Sequence, residues 1–542
     1  MEKAKKRIKE VVDKLFQEKI SPAFWMMTFL GIVAVRLFLD KFVAKGSSPA
    51  IQIEMDLHNF LFFGLTFLLV WAFLSLILRT KPFKIAFLMI CATLVIDWPP
   101  IFDMIKTGGE VYWGPYLFSS LAQLKLQYLT VFGHLPSGML YFGTRISFII
   151  AILALSGLVL IRTKSYFKAF LSLIGTYSIL FFMASFPSWL TFAYYFFQGS
   201  KKIAEIKPFE IAQFMGLSQI FGTGPESFTY SSIYNINLLY FPLICGILGL
   251  FFFLSQREKF VAVIKNLRIP QCLFHVGLFF CGIGLGILAY PSNLAINLFS
   301  VFAVGGLIIS IILAWKASVV VNDIFDFSVD SISSPSRPLQ KGIFSVREYA
   351  EFGLVCFVLS LLGGMAVGFK FSALLLAYQI IAFFYSAPPF RLKRFPLIAS
   401  LISAVALLVI LFLGFALFSG GKDIEGLSWR IIFLLLSAYT LCIPIKDFKD
   451  LEGDKKNSVW TIPAIFGEDR ARIIIAINFF VSYMLSVFFL NEFRLFWWAL
   501  LFGGASFFVI QNKNIKAWKL IWWNLGIVFI YGLILVKVVF LN

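Results

Sequence analysis

The chain is 542 residues long, with 60% of them hydrophobic and only 14% charged, a balance that excludes an ordinary soluble globule and puts the protein in lipid. A formal charge of +19 would suit nucleic acid if it lay along one soluble face, but the Lys and Arg residues sit in short clusters between apolar runs. Nucleic acid is therefore not an expected partner, and the clusters read as loops held on one side of a bilayer.

Residues 1–20 carry Ile8, Val11, Val12, Leu15 and Phe16 at helical spacing among basic residues, which predicts an amphipathic helix on the membrane surface. No short apolar core leading to a small-residue cleavage site appears, so no cleavable signal peptide is expected. Apolar runs close to the roughly 20 residues that cross a hydrocarbon core then predict about fifteen spans. They fall at 22–40, 58–78, 85–103, 145–161, 169–196, 233–254, 271–289, 296–321, 350–367, 372–386, 396–418, 431–445, 473–490, 495–511 and 517–540. With these spans most of the 47 Lys and Arg residues fall in alternate loops. The positive-inside rule then predicts a cytoplasmic N-terminus, an outside C-terminus and a multi-pass protein of a prokaryotic cell membrane.

The first six spans, within 21–256, form one predicted membrane domain without an assigned role. Its long polar segments hold Glu110, Trp113, His134 and Glu226, at no spacing that a known chemistry demands. Arg36 and Asp97 sit in or beside apolar segments, where ionisable groups mark either function or pairing across helices. A basic connector, 257–270, leads to the second domain, 271–542. The six cysteines, Cys91, Cys245, Cys272, Cys281, Cys356 and Cys442, lack metal-ligand spacing and read as unbridged thiols. His58, His134 and His275 lie far from the acidic motifs described next, and read as structural.

At the end of the eighth span stands Asn322-Asp323-Ile324-Phe325-Asp326-Phe327-Ser328-Val329-Asp330. Asp323, Asp326 and Asp330 occupy i, i+3 and i+7, one face of an α-helix. Carboxylates so placed repel one another unless a cation lies among them, and oxygen-only ligands suit magnesium. The pattern returns at Asp447-Phe448-Lys449-Asp450-Leu451-Glu452-Gly453-Asp454, where Asp447, Asp450 and Asp454 repeat the spacing on the same basic side. Magnesium takes few carboxylates and completes its shell with phosphate oxygens, so two facing clusters point to a diphosphate held between metals, with two ions expected. An acidic helix end facing water explains either cluster alone, but not their repetition. Arg337, Lys393 and, at the connector, Arg268 are the cations expected on the diphosphate. Lys341 and Arg394 fit ordinary loop anchoring.

At these residues the chain resembles the UbiA-type family of intramembrane prenyltransferases, over about 265–542. Asn322 to Asp330 matches the family's first motif, Asn-Asp-x-x-Asp-x-x-x-Asp, and Asp447 to Asp454 its second. Ser336-Arg337-Pro338-Leu339 and Tyr385-Ser386-Ala387-Pro388-Pro389 are also similar to family sequence. The resemblance implies an all-α nine-helix bundle with a central cavity. Asn322 and the six aspartates would hold magnesium there, while Asn322, Arg268, Arg337 and Lys393 hold a polyprenyl diphosphate. Asp326, Asp450, Lys393 and Tyr385 are the residues expected to act in catalysis, Tyr385 by sheltering an allylic cation. The implied reaction transfers a prenyl group to an aromatic or lipid acceptor and releases pyrophosphate. A phosphatidyl-type transferase would carry Asp-Gly-x-x-Ala-Arg, which is absent, and a cation-coupled transporter would place its carboxylates nearer the bilayer midplane.

Overall fold

An apolar run in lipid has no water to bond its backbone, so it closes its hydrogen bonds within itself as a helix. The computed structural model describes residues 2–43, 53–108, 116–133, 142–217, 228–294, 296–418, 426–456 and 460–540. Among them are fifteen helical segments long and apolar enough to cross a membrane, and no strand. The protein is an all-α, multi-pass membrane protein. Glu110, Trp113, His134 and Glu226 lie outside the described residues, as do the side chains of Asp450 and Asp454.

The chain divides into two units. The first comprises Met1–Ser218, Gly224–Arg257 and Met365–Val367, the second Gln219–Thr223, Glu258–Gly364 and Gly368–Asn542. In the first unit the N-terminal segment is helical over Glu2–Gln17, and Asp13 accepts a hydrogen bond from Arg162 Nη1 at 3.0 Å. Two expected spans are interrupted, both at prolines. The run expected at 169–196 ends as a helix at Ala184, and a separate helix covers Phe186–Gln198. Pro187 has no N–H for the carbonyl four residues earlier, so the helix cannot continue through it. The third span is helical over Ala86–Thr93, tightens to a 3₁₀ turn at Leu94–Asp97 and resumes at Trp98–Thr107. Pro100 leaves the Ile96 carbonyl without its helical partner, and Arg36 Nη1 takes that carbonyl at 2.5 Å. Arg36 Nε also donates to Asp40 at 2.8 Å, so its pairing is local to its own helix and to one broken turn.

The second unit holds nine of the spans, from Ile269–Ala289 to Ala517–Val539. Helices Ile269–Ala289 and Pro396–Phe415 pack backbone to backbone. A Cβ at Gly282 would lie 2.0 Å from the Leu411 carbonyl, and one at Gly414 2.0 Å from that of Phe279, the close approach that small residues permit between membrane helices. The connector is a short helix, Arg257–Lys265. Its trailing carbonyls are satisfied by the next helix but one: Lys316 Nζ reaches Asn266 O at 3.1 Å and Trp315 Nε1 reaches Leu267 O at 3.2 Å. This fixes the end of the connector beside the first acidic motif.

Candidate active site

The first motif is not one smooth helix. The long helix Leu298–Phe325 stops at Asp326, and a second helix runs over Phe327–Ser333. The single-face arrangement of three carboxylates expected from an unbroken helix is therefore replaced by a step, with Asp323 below the break, Asp326 at it and Asp330 beyond. The second motif differs as well. Ile443–Asp450 is a 3₁₀ helix with Pro444 at its start, followed by the α-helix Leu451–Lys456. In a 3₁₀ helix residues i and i+3 come round to the same side, so the backbone positions of Asp447 and Asp450 stay in line. The helices Phe327–Ser333 and Leu451–Lys456 pack against each other, which brings the two motifs together.

The carboxylate of Asp323 is wholly buried and accepts from four side chains. Arg268 Nη2 lies 2.5 Å and Arg337 Nη1 3.1 Å from Oδ1, while Asn266 Nδ2 and the Tyr349 hydroxyl each lie 2.9 Å from Oδ2. Asp330, also buried, pairs with the same Arg337. A buried charge persists only when paired and hydrogen-bonded, and these two aspartates meet that condition entirely within the protein. Arg268 and Arg337, expected on the diphosphate, thus engage the first motif itself.

Asp326 lies differently. It is 14% exposed and takes Arg391 Nη2 at 3.0 Å, the Lys393 ammonium, and Asn322 Nδ2 at 2.8 Å. Asn322 also donates to Ser386 Oγ at 3.4 Å, so both amide contacts use its nitrogen and its Oδ1 remains the acceptor end. Lys393 is buried, and burial holds its ammonium below the ordinary lysine range, an effect that Asp326 opposes. Beside this group Lys446 Nζ donates to the Tyr385 hydroxyl at 3.0 Å and lies 5.1 Å from the ring centroid.

Two of the arginines hold unusual backbone. Arg268 and Arg391 are both left-handed, with φ of 55° and 40°, a conformation that costs an L-residue of this size energy. Each sits where the chain turns into a helix and presents its guanidinium to an aspartate of the first motif. Asn266, Tyr349 and Lys446 were not singled out from sequence; they come from distant segments and carry no periodic pattern. Ser386 and Arg391 belong to the Tyr-Ser-x-Pro-Pro segment and the basic residues after it, where neither carried a separate role in the sequence.

Among the described residues no three His, Cys, Asp or Glu side chains converge on a single point. The oxygen set of Asn322 Oδ1 and the Asp326 carboxylate, with Asp447 on the opposed segment, has the chemistry that a hard divalent ion selects. The histidines stand apart. His275 is bonded to Gln271 O at 2.7 Å and Tyr378 OH at 3.0 Å, and His58 to Asn237 Oδ1 at 2.8 Å and Tyr116 OH at 2.7 Å.

Residues 277–531 match the UbiA prenyltransferase family. Digeranylgeranylglyceryl phosphate synthase of Methanosphaera stadtmanae is 25% identical over 205 residues, 36% of this chain and 72% of that protein. Homogentisate phytyltransferase of Synechocystis sp. is 26% identical over 213 residues, 38% of this chain and 65% of that protein. Among solved structures, a UbiA homolog from Archaeoglobus fulgidus bound to GPP and Mg2+ aligns with a TM-score of 0.40 and 23% identity, covering 51% of this chain and all of that one.

Proposed function

We propose, from the premise that residues 277–531 are a UbiA-family prenyltransferase domain, that this site transfers a prenyl group from a polyprenyl diphosphate to an aromatic or lipid acceptor and releases pyrophosphate, with magnesium required. The observation that carries this reading is the packing of Phe327–Ser333 on Leu451–Lys456, which sets one acidic motif against the other beside Arg391 and Lys393.

The roles in the first motif follow from its bonding pattern. Asn322 and Asp326, with Asp447, Asp450 and Asp454 of the second motif, would hold the metal. Asp323 and Asp330, saturated by Arg268, Arg337, Asn266 and Tyr349, keep the broken helix in position. Bound magnesium supplies positive charge to the leaving diphosphate. Arg391 and Lys393 exchange their contact with Asp326 for phosphate oxygens, Arg as a fixed fork and Lys as a point charge. The allylic C–O bond breaks with its electron pair passing to pyrophosphate, and the acceptor bonds to the carbon and loses a proton. Tyr385 offers a π-face to the positive carbon, with its hydroxyl held by Lys446. Exclusion of water from the site would keep the prenyl group from hydrolysis.

Two ions, a cytoplasmic N-terminus and a cytoplasmic site in a prokaryotic cell membrane belong to the same proposal, supported by the doubled motif and by the distribution of Lys and Arg. Purified full-length protein in nanodiscs, titrated with geranylgeranyl diphosphate with and without Mg2+, is expected to bind the diphosphate only with the metal. Absence of binding at every Mg2+ concentration overturns the reading. A cysteine placed at Ser334 is expected to react with an impermeant maleimide from the cytoplasmic side alone. Lipid extracts from cells with and without the gene identify the acceptor by the prenylated product that disappears.

A further inference from the structure

The first unit holds a partly open cavity of about 550 Å³, within the range of small-molecule sites. Its walls are mostly apolar, with Phe62, Phe63 and Phe148 among them, and polar groups reach it from five helices. Most are spent. His58, which lines it, gives both ring nitrogens to Asn237 and Tyr116, and Tyr116 in turn meets the Tyr240 hydroxyl at 2.9 Å.

Ser147 and Thr176 are different. Both line the cavity, they are 3% and 1% exposed, and among the described residues neither hydroxyl has a hydrogen-bond partner. Helical hydroxyls in lipid normally return to the carbonyl four residues back, as Thr66 does to Phe62 O at 2.7 Å and Ser178 to Ile174 O at 2.8 Å in the same unit. A buried hydroxyl left unbonded costs stability, so two of them on one cavity wall mark groups held ready for a ligand. They come from adjacent helices: Phe142–Thr163 and Tyr166–Ala184 pack against each other.

Charge narrows the ligand. Among the described residues the cavity is lined by the carboxylates of Asp40 and Asp103 and by one cation, Arg36, which already donates to Asp40. A phosphate head would meet more negative charge than positive. We propose that the cavity binds a neutral amphiphile, an apolar chain or ring whose hydroxyl head exchanges hydrogen bonds with Ser147 and Thr176. This site is independent of the prenyl-transfer reading of the second unit.

The test uses full-length protein in nanodiscs and a C20 isoprenoid alcohol carrying a diazirine and an alkyne, beside the phosphate monoester of the same probe. The alcohol is expected to crosslink to peptides within 142–184, and the monoester to label them far less. The Ser147→Ala/Thr176→Val double variant is expected to lose about tenfold in alcohol labelling, the worth of two neutral hydrogen bonds. It is also expected to unfold at or above the wild-type temperature, because it removes two unsatisfied buried groups. Magnesium-dependent binding of geranylgeranyl diphosphate should be unchanged in the same sample. Equal labelling of variant and wild type, or equal labelling by the monoester, overturns the proposal. Lower labelling accompanied by a lower unfolding temperature also counts against it, since the hydroxyls would then be structural.

Discussion

The two units bury polar groups on opposite terms. In the second, every described carboxylate of the first motif is met by a cation of the same unit: Arg268 and Arg337 at Asp323, Arg337 at Asp330, Arg391 and Lys393 at Asp326. In the first, among the described residues, the cavity has two carboxylates to one guanidinium, and hydroxyls stand unbonded on its wall. The difference teaches what each can receive. A cation-rich cluster of neutralised carboxylates can take a polyanion together with metal by exchanging partners. A cavity with unspent hydroxyls and no surplus positive charge receives a neutral head.

The largest expected effect tests the exchange of partners at Asp326. Asp326→Ala and Asp450→Ala should each lower turnover by more than about a hundredfold, measured as pyrophosphate release, because one motif alone does not grip a diphosphate from both sides. Near-normal activity in either variant breaks the comparison at its centre. Lys393→Met should raise the KM for the prenyl diphosphate about tenfold with a smaller effect on kcat, the loss of one charge-assisted contact, and Lys393→Arg should recover part of it.

Next in size is a contrast in stability. Arg337 is 9% exposed and bridges two buried carboxylates; Arg337→Ala strands Asp330 and leaves Asp323 with Arg268, Asn266 and Tyr349, and should cost about 3–5 kcal/mol. Arg36 is 15% exposed and pairs with one carboxylate and one carbonyl, so Arg36→Ala should cost about 1–3 kcal/mol. Denaturation in a single detergent checks both. Equal costs would mean that the first unit depends on its ion pair as the second does on its network.

Much of the second unit was legible from sequence because its signals are local. Its nine spans follow from apolar runs, and the acidic motifs from spacing within nine-residue windows. What was not legible depends on contacts between distant segments. The breaks at Asp326 and through Ile443–Asp450 replace the single helical face that i, i+3, i+7 spacing implies, and Asp323 is sealed while Asp326 at the break keeps some exposure. Asn266 and Tyr349 matter only because the connector and the helix after Ser345 both fold back on Asp323. In the first unit Pro100 and Pro187 were visible as breakers, yet the runs around them are apolar enough to read as continuous spans. The unbonded state of Ser147 and Thr176 has no sequence signature, since a helical Ser or Thr ordinarily bonds its own backbone.

The smallest expected effect separates supporting groups from working ones. Tyr349 is wholly buried, donates to Asp323 Oδ2 at 2.9 Å and accepts from Asn266 Nδ2 at 3.2 Å. Tyr349→Phe keeps the ring among Phe344 and Phe352 and removes only the hydroxyl. Asp323 then retains Arg268 and Arg337 on one oxygen and Asn266 on the other, so no oxygen is orphaned and the cost should be about 1 kcal/mol. If Asp323 only braces the broken helix, pyrophosphate release should fall by less than about fivefold, and the Mg2+ concentration for half-maximal activity should not move. A shift in that Mg2+ requirement would place Asp323 among the metal ligands and give all three aspartates of the first motif the same task.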